Sequence, residues 1–360
     1  MKIAVIGAGP GGLTLARVLQ RHGIPVTVYE RDDDPGARDQ GGTLDMQQDT
    51  GQVALEAAGL LDDFLALSRP EGQGGRIADR SGRILADQPA RPGDLASPEI
   101  DRGELRGLLL GSLEPGTVRW GSVLERAEPG RLHLRGGDTV EADLIVGADG
   151  AWSRVRPLVS PARPEYSGVT FVELRITDVD EAHPEIAALV GDGMLFALGD
   201  RKGLLCQRNG HGVVRVYAAF AAELGATHER ADLYRIFEGW GAPLLRLLDE
   251  CEPAVVDRPM FALPVPHTWE HVPGVTLLGD AAHLMSPFSG LGANTAMLDG
   301  ADLALAIAEE PDLSAAVRRY ERLMFPRAAR NAEGAAEGLA GILEDDALEG
   351  SLAHVGRRSS

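Results

Sequence analysis

Residues 1–30 read MKIAVIGAGPGGLTLARVLQRHGIPVTVYE, and this stretch decides the fold. Lys2 to Ile6 is an apolar run of strand length, and Gly7, Gly9 and Gly12 follow it as GxGxxG, with Pro10 inside the motif. Leu13, Ala16, Leu19 and Gln20 continue into a helix closed by Gly23, and Val26 to Tyr29 forms the next strand. Each glycine has a physical reason. Gly7 permits the tight turn, Gly9 lets backbone approach a pyrophosphate, and Gly12 lets helix and strand pack closely. A phosphate then meets the free N–H groups and dipole of the helix N-terminus. Glu30 ends the second strand 18 residues after Gly12, where a carboxylate can accept ribose hydroxyl protons. Arg31, next to it, is assigned to the same cofactor site. FAD and NAD share an ADP half, so this motif alone does not separate them.

Outward from that unit, the polar stretch from Arg31 to Gln40 reads as a mobile loop, Asp49 to Phe64 as one helix, and Arg102 to Leu113 as another. Leu132 to Ile145 gives strands about the turn Gly136-Gly137-Asp138. From about 160 to 270 the pattern changes: Val169 to Ile176, Gly203 to Gln207 and Val213 to Phe220 read as strands of a separate sheet, followed by a helix near 231–250. Val275 to Leu278 returns to a buried-strand pattern, and a long helix begins near Asn294. The expected division is a discontinuous nucleotide-binding domain (1–160 and 271–310, part of 65–100 open to either side), a substrate-binding sheet domain (161–270) and a C-terminal helical segment (311–350). The Arg-Arg-Ser-Ser end is expected to be disordered.

Residues 279–294, GDAAHLMSPFSGLGAN, place a strand, Gly-Asp, a Pro/Gly-rich loop and a helix in succession. Asp280 at a strand end can take a hydrogen bond from a ribityl hydroxyl. Gly290 and Gly292 keep side chains away from an approaching ring. The helix starting near Asn294 would aim N–H groups at negative charge developing on a reduced flavin. Pro287, Phe288 and the backbone of Gly290, Leu291, Gly292 and Ala293 are read as the wall of the isoalloxazine. His283 in this loop is read as structural. Asp149 follows an apolar strand in a Gly-rich turn, with Ser153, Arg154 and Arg156 beyond it. It can hold a ribose or water beside the pyrophosphate, or cap a helix starting at Ala151.

These segments resemble a known family. MKIAVIGAGPGGLTLARVLQRHG, GADGAWSRVR (Gly147 to Arg156) and GDAAHLMSPFSGLGAN look like the three ordered fingerprints of class A flavoprotein monooxygenases, the para-hydroxybenzoate hydroxylase-like group. The resemblance implies an α/β fold: a Rossmann-type FAD domain with an inserted mixed β-sheet substrate domain and a C-terminal helix. More narrowly, YERDDDPGARDQGGTLDMQQDTGQVALEAAGLL (Tyr29 to Leu61) and PEIDRGELRGLLL (Pro98 to Leu110) resemble the tetracycline-inactivating, TetX-like branch. That likeness implies Asp45 and Arg102 on FAD, Asp280 on the ribityl chain, Asp149 near FAD and NADPH, and Arg38 on NADPH. Met46 and Gln47 depart from the branch, which usually has a His after this stretch.

The chemistry so implied is reduction of FAD by NADPH or NADH and reaction with O2 to a flavin C4a-hydroperoxide. That species would hydroxylate an aromatic or polycyclic, polyketide-like or tetracycline-like, small molecule. A flavin-dependent reductase or dehydrogenase of the same fold is the alternative. Substrate contacts are expected among Phe171, Glu173, Cys206, Gln207 and Tyr217.

Composition narrows the partners. With 54 acidic against 35 basic residues the formal charge is −19, which disfavours nucleic acid and anionic membrane. Two cysteines, Cys206 and Cys251, form no CxxC pair, so neither a disulfide scaffold nor a metal site is expected, and a reducing cytoplasm fits. A cytoplasmic monomer is the expectation.

Overall fold

A five-stranded parallel sheet has the order Val275–Leu277, Leu144–Gly147, Ile3–Ile6, Val26–Tyr29, Val118–Arg119. The computed structural model describes residues 1–358, with side chains through Ala353. The central strand, IAVI, is buried along its whole length, as an unbroken apolar run in a parallel sheet covered on both faces must be. Its register aligns the strand tips: Ile6 lies beside Gly147 and Tyr29, and Gly147 beside Leu277. The three motif segments therefore leave the same edge of one sheet.

Two helices pack together over these tips, Pro10–Arg21 and Gly292–Glu309. A Cβ added at Gly300 would stand 2.4 Å from the Gly11 carbonyl oxygen, so the helix backbones themselves touch. Behind them runs the thirty-residue helix Leu313–Ile342. It is pinned to the sheet where the Tyr320 hydroxyl donates to the Leu277 carbonyl at 2.8 Å. Buried Glu321 accepts from Trp269 Nε1 and Thr276 Oγ1.

A seven-stranded mixed sheet forms the other layer, in the order Val256–Ala262, Glu165–Ile176, Val214–Ala221, Lys202–Arg208, Met194–Gly199, Gly75–Asp79, Ile84–Gln88. Side chains alternate across it. Val172, Leu174, Cys206 and Val216 face a core backed by Leu233, Leu244 and Leu247 from two short helices. Val169, Phe171, Leu205 and Ala219 face the opposite way, toward Phe288, Leu339 and Ile342.

Several elements differ from the sequence expectation. The helix over 49–64 is two, Gly51–Ala58 and Leu61–Leu67, because Gly59 adopts φ 67° and ends the first. The helix near 231–250 is likewise two, Arg230–Ile236 and Ala242–Asp249, separated at Gly241. No helix starts at Ala151; a turn leads to a single 3-10 turn at Arg156–Leu158. Strands Met194–Gly199 and Val256–Ala262 add to the expected set. Pro259 breaks the pattern of the second, which survives as an edge strand. At the end of the chain, helix Ala347–Arg358 includes Arg357 and Arg358, and the remaining two serines lie outside the described residues. Among the described residues no helix is long and apolar enough to cross a membrane.

Replacing Gly300 with Ala forces the two helices apart against backbone atoms that cannot rotate away. The expected cost is about 1–3 kcal/mol, read as a lower denaturant midpoint with an unchanged slope.

Candidate active site

The first turn shows why its glycines are needed. Gly7 has φ 109°, and a Cβ there would meet the Ala148 carbonyl oxygen at 2.3 Å. A Cβ on Gly12 would meet the Gly7 carbonyl oxygen at 2.2 Å, whereas one on Gly9 would have nothing within 4 Å. Gly7 and Gly12 are thus required by the fold itself, and Gly9 faces open space in front of a helix whose Pro10-led N-terminus has no side-chain cap. Glu30 is buried, and its two oxygens accept from Ala8 N at 2.7 Å and Asp32 N at 3.0 Å. It holds the turn and keeps lone pairs for a ribose hydroxyl.

Arg106 joins the site without having been expected there. It projects from the buried face of helix Arg102–Gly111, donates to the Ala8 and Pro35 carbonyls, and lies 5.3 Å over the Trp120 ring. Its Nη2 is buried without a hydrogen-bond partner among the described residues. The available signal is a charged residue at a core position between Leu105 and Leu109.

The middle segment is tied to the other two. Asp149 Oδ2 accepts from Arg154 N at 2.7 Å, while its Oδ1 is buried with no partner among the described residues. Burial pushes its carboxyl upward despite hydrogen bonds that pull it back. Buried Arg156 donates to the carbonyls of Ala281 and Asp280, joining this turn to the third motif. Asp280 has an exposed side chain amid dense surroundings, which is the condition of a group on a concave wall. Burial raises its carboxyl, and the charges of His283, Arg102 and Arg156 oppose that rise.

Asn294 differs from its expected place. The helix begins at Gly292, after Leu291, so Asn294 sits inside the first turn with a fully buried side chain. Its Oδ1 accepts from Gln47 N and Gly51 N, and its Nδ2 donates to the Asp45 and Gly290 carbonyls. It clamps the loop after strand Thr43–Asp45 to the Pro287–Gly290 turn, so its side chain is committed to the fold. The clamp places the Asp45 carboxylate 3.3–3.4 Å from a Cβ built on Gly290, a residue at φ 66°. Leu291, Gly292 and Ala293 stay half-buried, and the helix N-terminus carries no side-chain cap. His283 is structural: it is buried and 2.6 Å from Asp299, which also accepts from Arg327.

On the sheet, Phe171, Glu173, Gln207 and Tyr217 share one face. The Phe171 ring is 5.6 Å from Phe288, edge to face, and 6.2 Å from Tyr217. A Cβ on Gly42 would lie 2.7 Å from Gln207 Oε1 and 3.1 Å from the Tyr217 hydroxyl, so this loop covers one end of the face. Glu173 is paired with Arg215 and, at 2.9 Å, with Arg258. Cys206 points into the helix-backed core on the opposite face, where burial raises its thiol to about 12, and it is no substrate contact. Arg102 donates its backbone N–H to Gly42 O, and its charge faces Asp280 and Tyr217. Arg31 and Arg38 are exposed on the rim, and Arg38 is 2.9 Å from Asp32. Among the described residues no group of three His, Cys, Asp or Glu side chains is placed to hold a metal ion.

Comparison with known proteins adds to this geometry. Residues 5–50 match the NAD(P)-binding Rossmann-like domain and residues 267–330 the FAD binding domain. Monooxygenase asqM of Emericella nidulans is 35% identical, over 84% of this chain and 83% of its own length. Klebsiella pneumoniae HpxO, solved with FAD and uric acid, superposes at a TM-score of 0.85 with 24% identity, over 99% of this chain and 93% of that one. The tetracycline destructase Tet(51) superposes at 0.73 with 21% identity, over 97% and 93%, a likeness of fold.

Two outcomes test the site. Gly9→Ala should leave thermal stability unchanged and weaken FAD retention by about tenfold or more, because its Cβ enters the phosphate approach; Gly12→Ala should lose stability first. The second concerns Glu99, whose buried carboxyl, hydrogen-bonded by Thr43, is raised by burial from 4.5 to about 7. A carboxyl whose folded value is raised contributes stability below the unfolded value that is lost as pH rises through the folded one. Stability should therefore fall between pH 4.5 and about 7, by roughly 1–3 kcal/mol. Glu99→Gln should flatten that slope in denaturant titrations.

Proposed function

This chain belongs to the family of FAD-dependent monooxygenases, and from that premise we propose that it hydroxylates an aromatic or polycyclic small molecule, with NADPH or NADH as reductant and O2 as co-substrate. The observation that carries this reading is the edge-to-face contact of Phe171 and Phe288. It brings the substrate-side sheet against the loop that walls the flavin in the proposed site.

The residues present fit FAD. Gly9 opens on free space before a helix N-terminus, and Asp149 Oδ1 is a buried acceptor with a lone pair to offer. In this reading Gly7, Gly9, Pro10 and Gly12 receive the pyrophosphate and Glu30 the adenosine ribose. Arg31 borders that half of the site. Asp149 and Asp280 accept from the remaining hydroxyls, and Arg102 and Asp45 flank the flavin end. Bound there, FAD supplies the electron transfer and oxygen activation. The uncapped N-terminus of helix Gly292–Glu309 would offer N–H groups to negative charge on a bound flavin, and Pro287 and the backbone from Gly290 to Ala293 would keep side chains off its ring. In the same reading, exposed Arg38 on the rim would meet a nucleotide phosphate from solvent.

The substrate lies in this proposal against Phe171, Tyr217 and Phe288, whose rings favour a flat aromatic guest. The Tyr217 hydroxyl, with Gln207 beside it, supplies polar orientation. Two proteins of similar fold act on or bind oxygen-rich ring systems, uric acid in one case and tetracyclines in the other.

The test is turnover of the FAD-loaded protein with NADPH under 18O-labelled O2 against a panel of phenols and polycyclic polyketides. One labelled oxygen in the product of one scaffold class is expected. Products free of label, with NADPH consumed in step with substrate, would instead establish a reductase.

A further inference from the structure

His283 ends the four-residue helix Asp280–His283, three positions after the residue assigned to the ribityl chain. Its ring is buried, with Nε2 2.6 Å from Asp299 Oδ2. That oxygen also accepts from Gly279 N at 3.0 Å, and Asp299 Oδ1 accepts from Arg327 Nη2 at 2.9 Å. Arg327 is shared in turn with Asp302, at 2.7 Å. Two carboxylates therefore face one guanidinium, and a buried cluster with unbalanced charge is costly. An imidazolium at His283 brings the group to neutrality and makes the 2.6 Å contact a charge-assisted hydrogen bond. Burial alone would push the ring down, but Asp299 and, beyond it, Asp280 hold it above its ordinary value. Nδ1 is buried with no partner among the described residues. The ring lines a cleft with His267, Leu263 and Leu284 that has room for about one water.

This pair reaches the cofactor side by two routes. The first is backbone. Gly279 makes a left-handed turn at φ 58° between strand Val275–Leu277 and Asp280, and its N–H is fixed by the same Asp299 oxygen that holds His283. The second is charge. Burial raises the Asp280 carboxyl, and His283 is the first charge to oppose that rise, ahead of Arg102 and Arg156. Across the cleft, His267 is held below its ordinary value by burial, with Arg156 and His283 adding to the effect, so it brings no second positive charge to the ring at neutral pH.

We propose that His283 is a positioning residue of the cofactor site: as an imidazolium held by Asp299, it fixes the Gly279–Asp280 turn and supplies the charge against which the Asp280 carboxylate faces FAD. The pair braces the fold and, through the same contacts, sets the ionisation of a residue at the cofactor. This rests on the placement of Asp280 at FAD in the function proposed above, and it is indifferent to whether oxygen is inserted. Without the imidazolium the Asp280 carboxyl rises further. As pH falls it then takes up a proton sooner, and a neutral acid is a poorer acceptor for a ribityl hydroxyl than a carboxylate.

The test measures FAD release from the holoprotein on dilution, between about pH 5 and about pH 9, in wild type, His283→Gln, Asp280→Asn and the double variant. Gln keeps an N–H for Asp299 and drops the charge. His283→Gln should release FAD about three- to tenfold more readily at the acid end, and like wild type at the alkaline end. Asp280→Asn should release FAD faster than wild type throughout, and adding His283→Gln to it should introduce no pH dependence. An effect of His283→Gln that is equal at both ends of the range, or that keeps its pH dependence in the Asp280→Asn background, leaves only a brace and overturns the proposal. Should His283→Gln fail to fold, the holoprotein carrying 15N-labelled histidine decides. One histidine should keep both ring nitrogens protonated above neutral pH, and its titration should move to lower pH in Asp280→Asn, because coupling between two sites is reciprocal. The absence of such a histidine overturns the proposal. Asp280→Asn that retains FAD like wild type at every pH removes Asp280 from the cofactor, and the proposal with it. The labelled-oxygen result is independent of all these readouts.

Discussion

Close approach of backbone to backbone at the tips of the parallel sheet is the constraint on which the site depends. Gly7 touches Ala148, Gly12 touches Gly7, and Gly11 touches both Ala296 and Gly300, each at a distance that admits no Cβ. These contacts bring three segments separated by well over a hundred residues of chain to one edge. They also leave helix N-termini facing the same open side, where peptide dipoles add rather than cancel.

Packing alone would leave the loops beyond those tips free to differ. Two buried polar side chains remove that freedom. Asn294 bonds four backbone groups from two loops, and Arg156 bonds carbonyls of the second and third motifs. Each is out of water, so any loop arrangement that breaks these bonds leaves unsatisfied polar groups, at about 1–3 kcal/mol apiece. The site walls are therefore set by hydrogen bonds between loops, on a scaffold set by glycine contacts.

This division explains what is legible in the sequence. The first strand, turn and helix, the acid Glu30, and the strand before Gly279-Asp280 can be read because local backbone geometry demands those residue types at those spacings. Asn294 stands near the helix start that the sequence indicates but plays another role there. A helix-start Asn looks the same from sequence whether it caps its own helix or ties down Asp45. Arg106 gives little local sign of itself because its partners, Ala8 and Pro35, lie far away in the chain. Cys206 takes the face opposite to the expected one because the apolar run GLLC gives no alternation to read. Gly59 ends one helix, and Gly241 stands before the start of another, where hydrophobic spacing alone carries a single helix onward.

The substrate side obeys different physics. Its sheet buries both faces, so apolar pattern states that a residue is inside without saying on which side. Facing is decided by pairing register: Glu173 stands opposite Tyr217, and Gln207 opposite Arg215, only because three strands align as they do. Charge is then placed by desolvation. Glu173 tolerates burial because Arg215 and Arg258 share it, and Arg215 tolerates burial only with a second carboxylate, which the fold draws from an exposed loop. A buried cation neutralised by an exposed acid differs from an ion pair whose partners are both largely out of water. By that criterion the Asp299–Arg327 pair, with one partner wholly buried and the other 17% exposed, belongs to the fold. Asp39–Arg215 instead joins a cation that is 8% exposed to an acid that is 61% exposed.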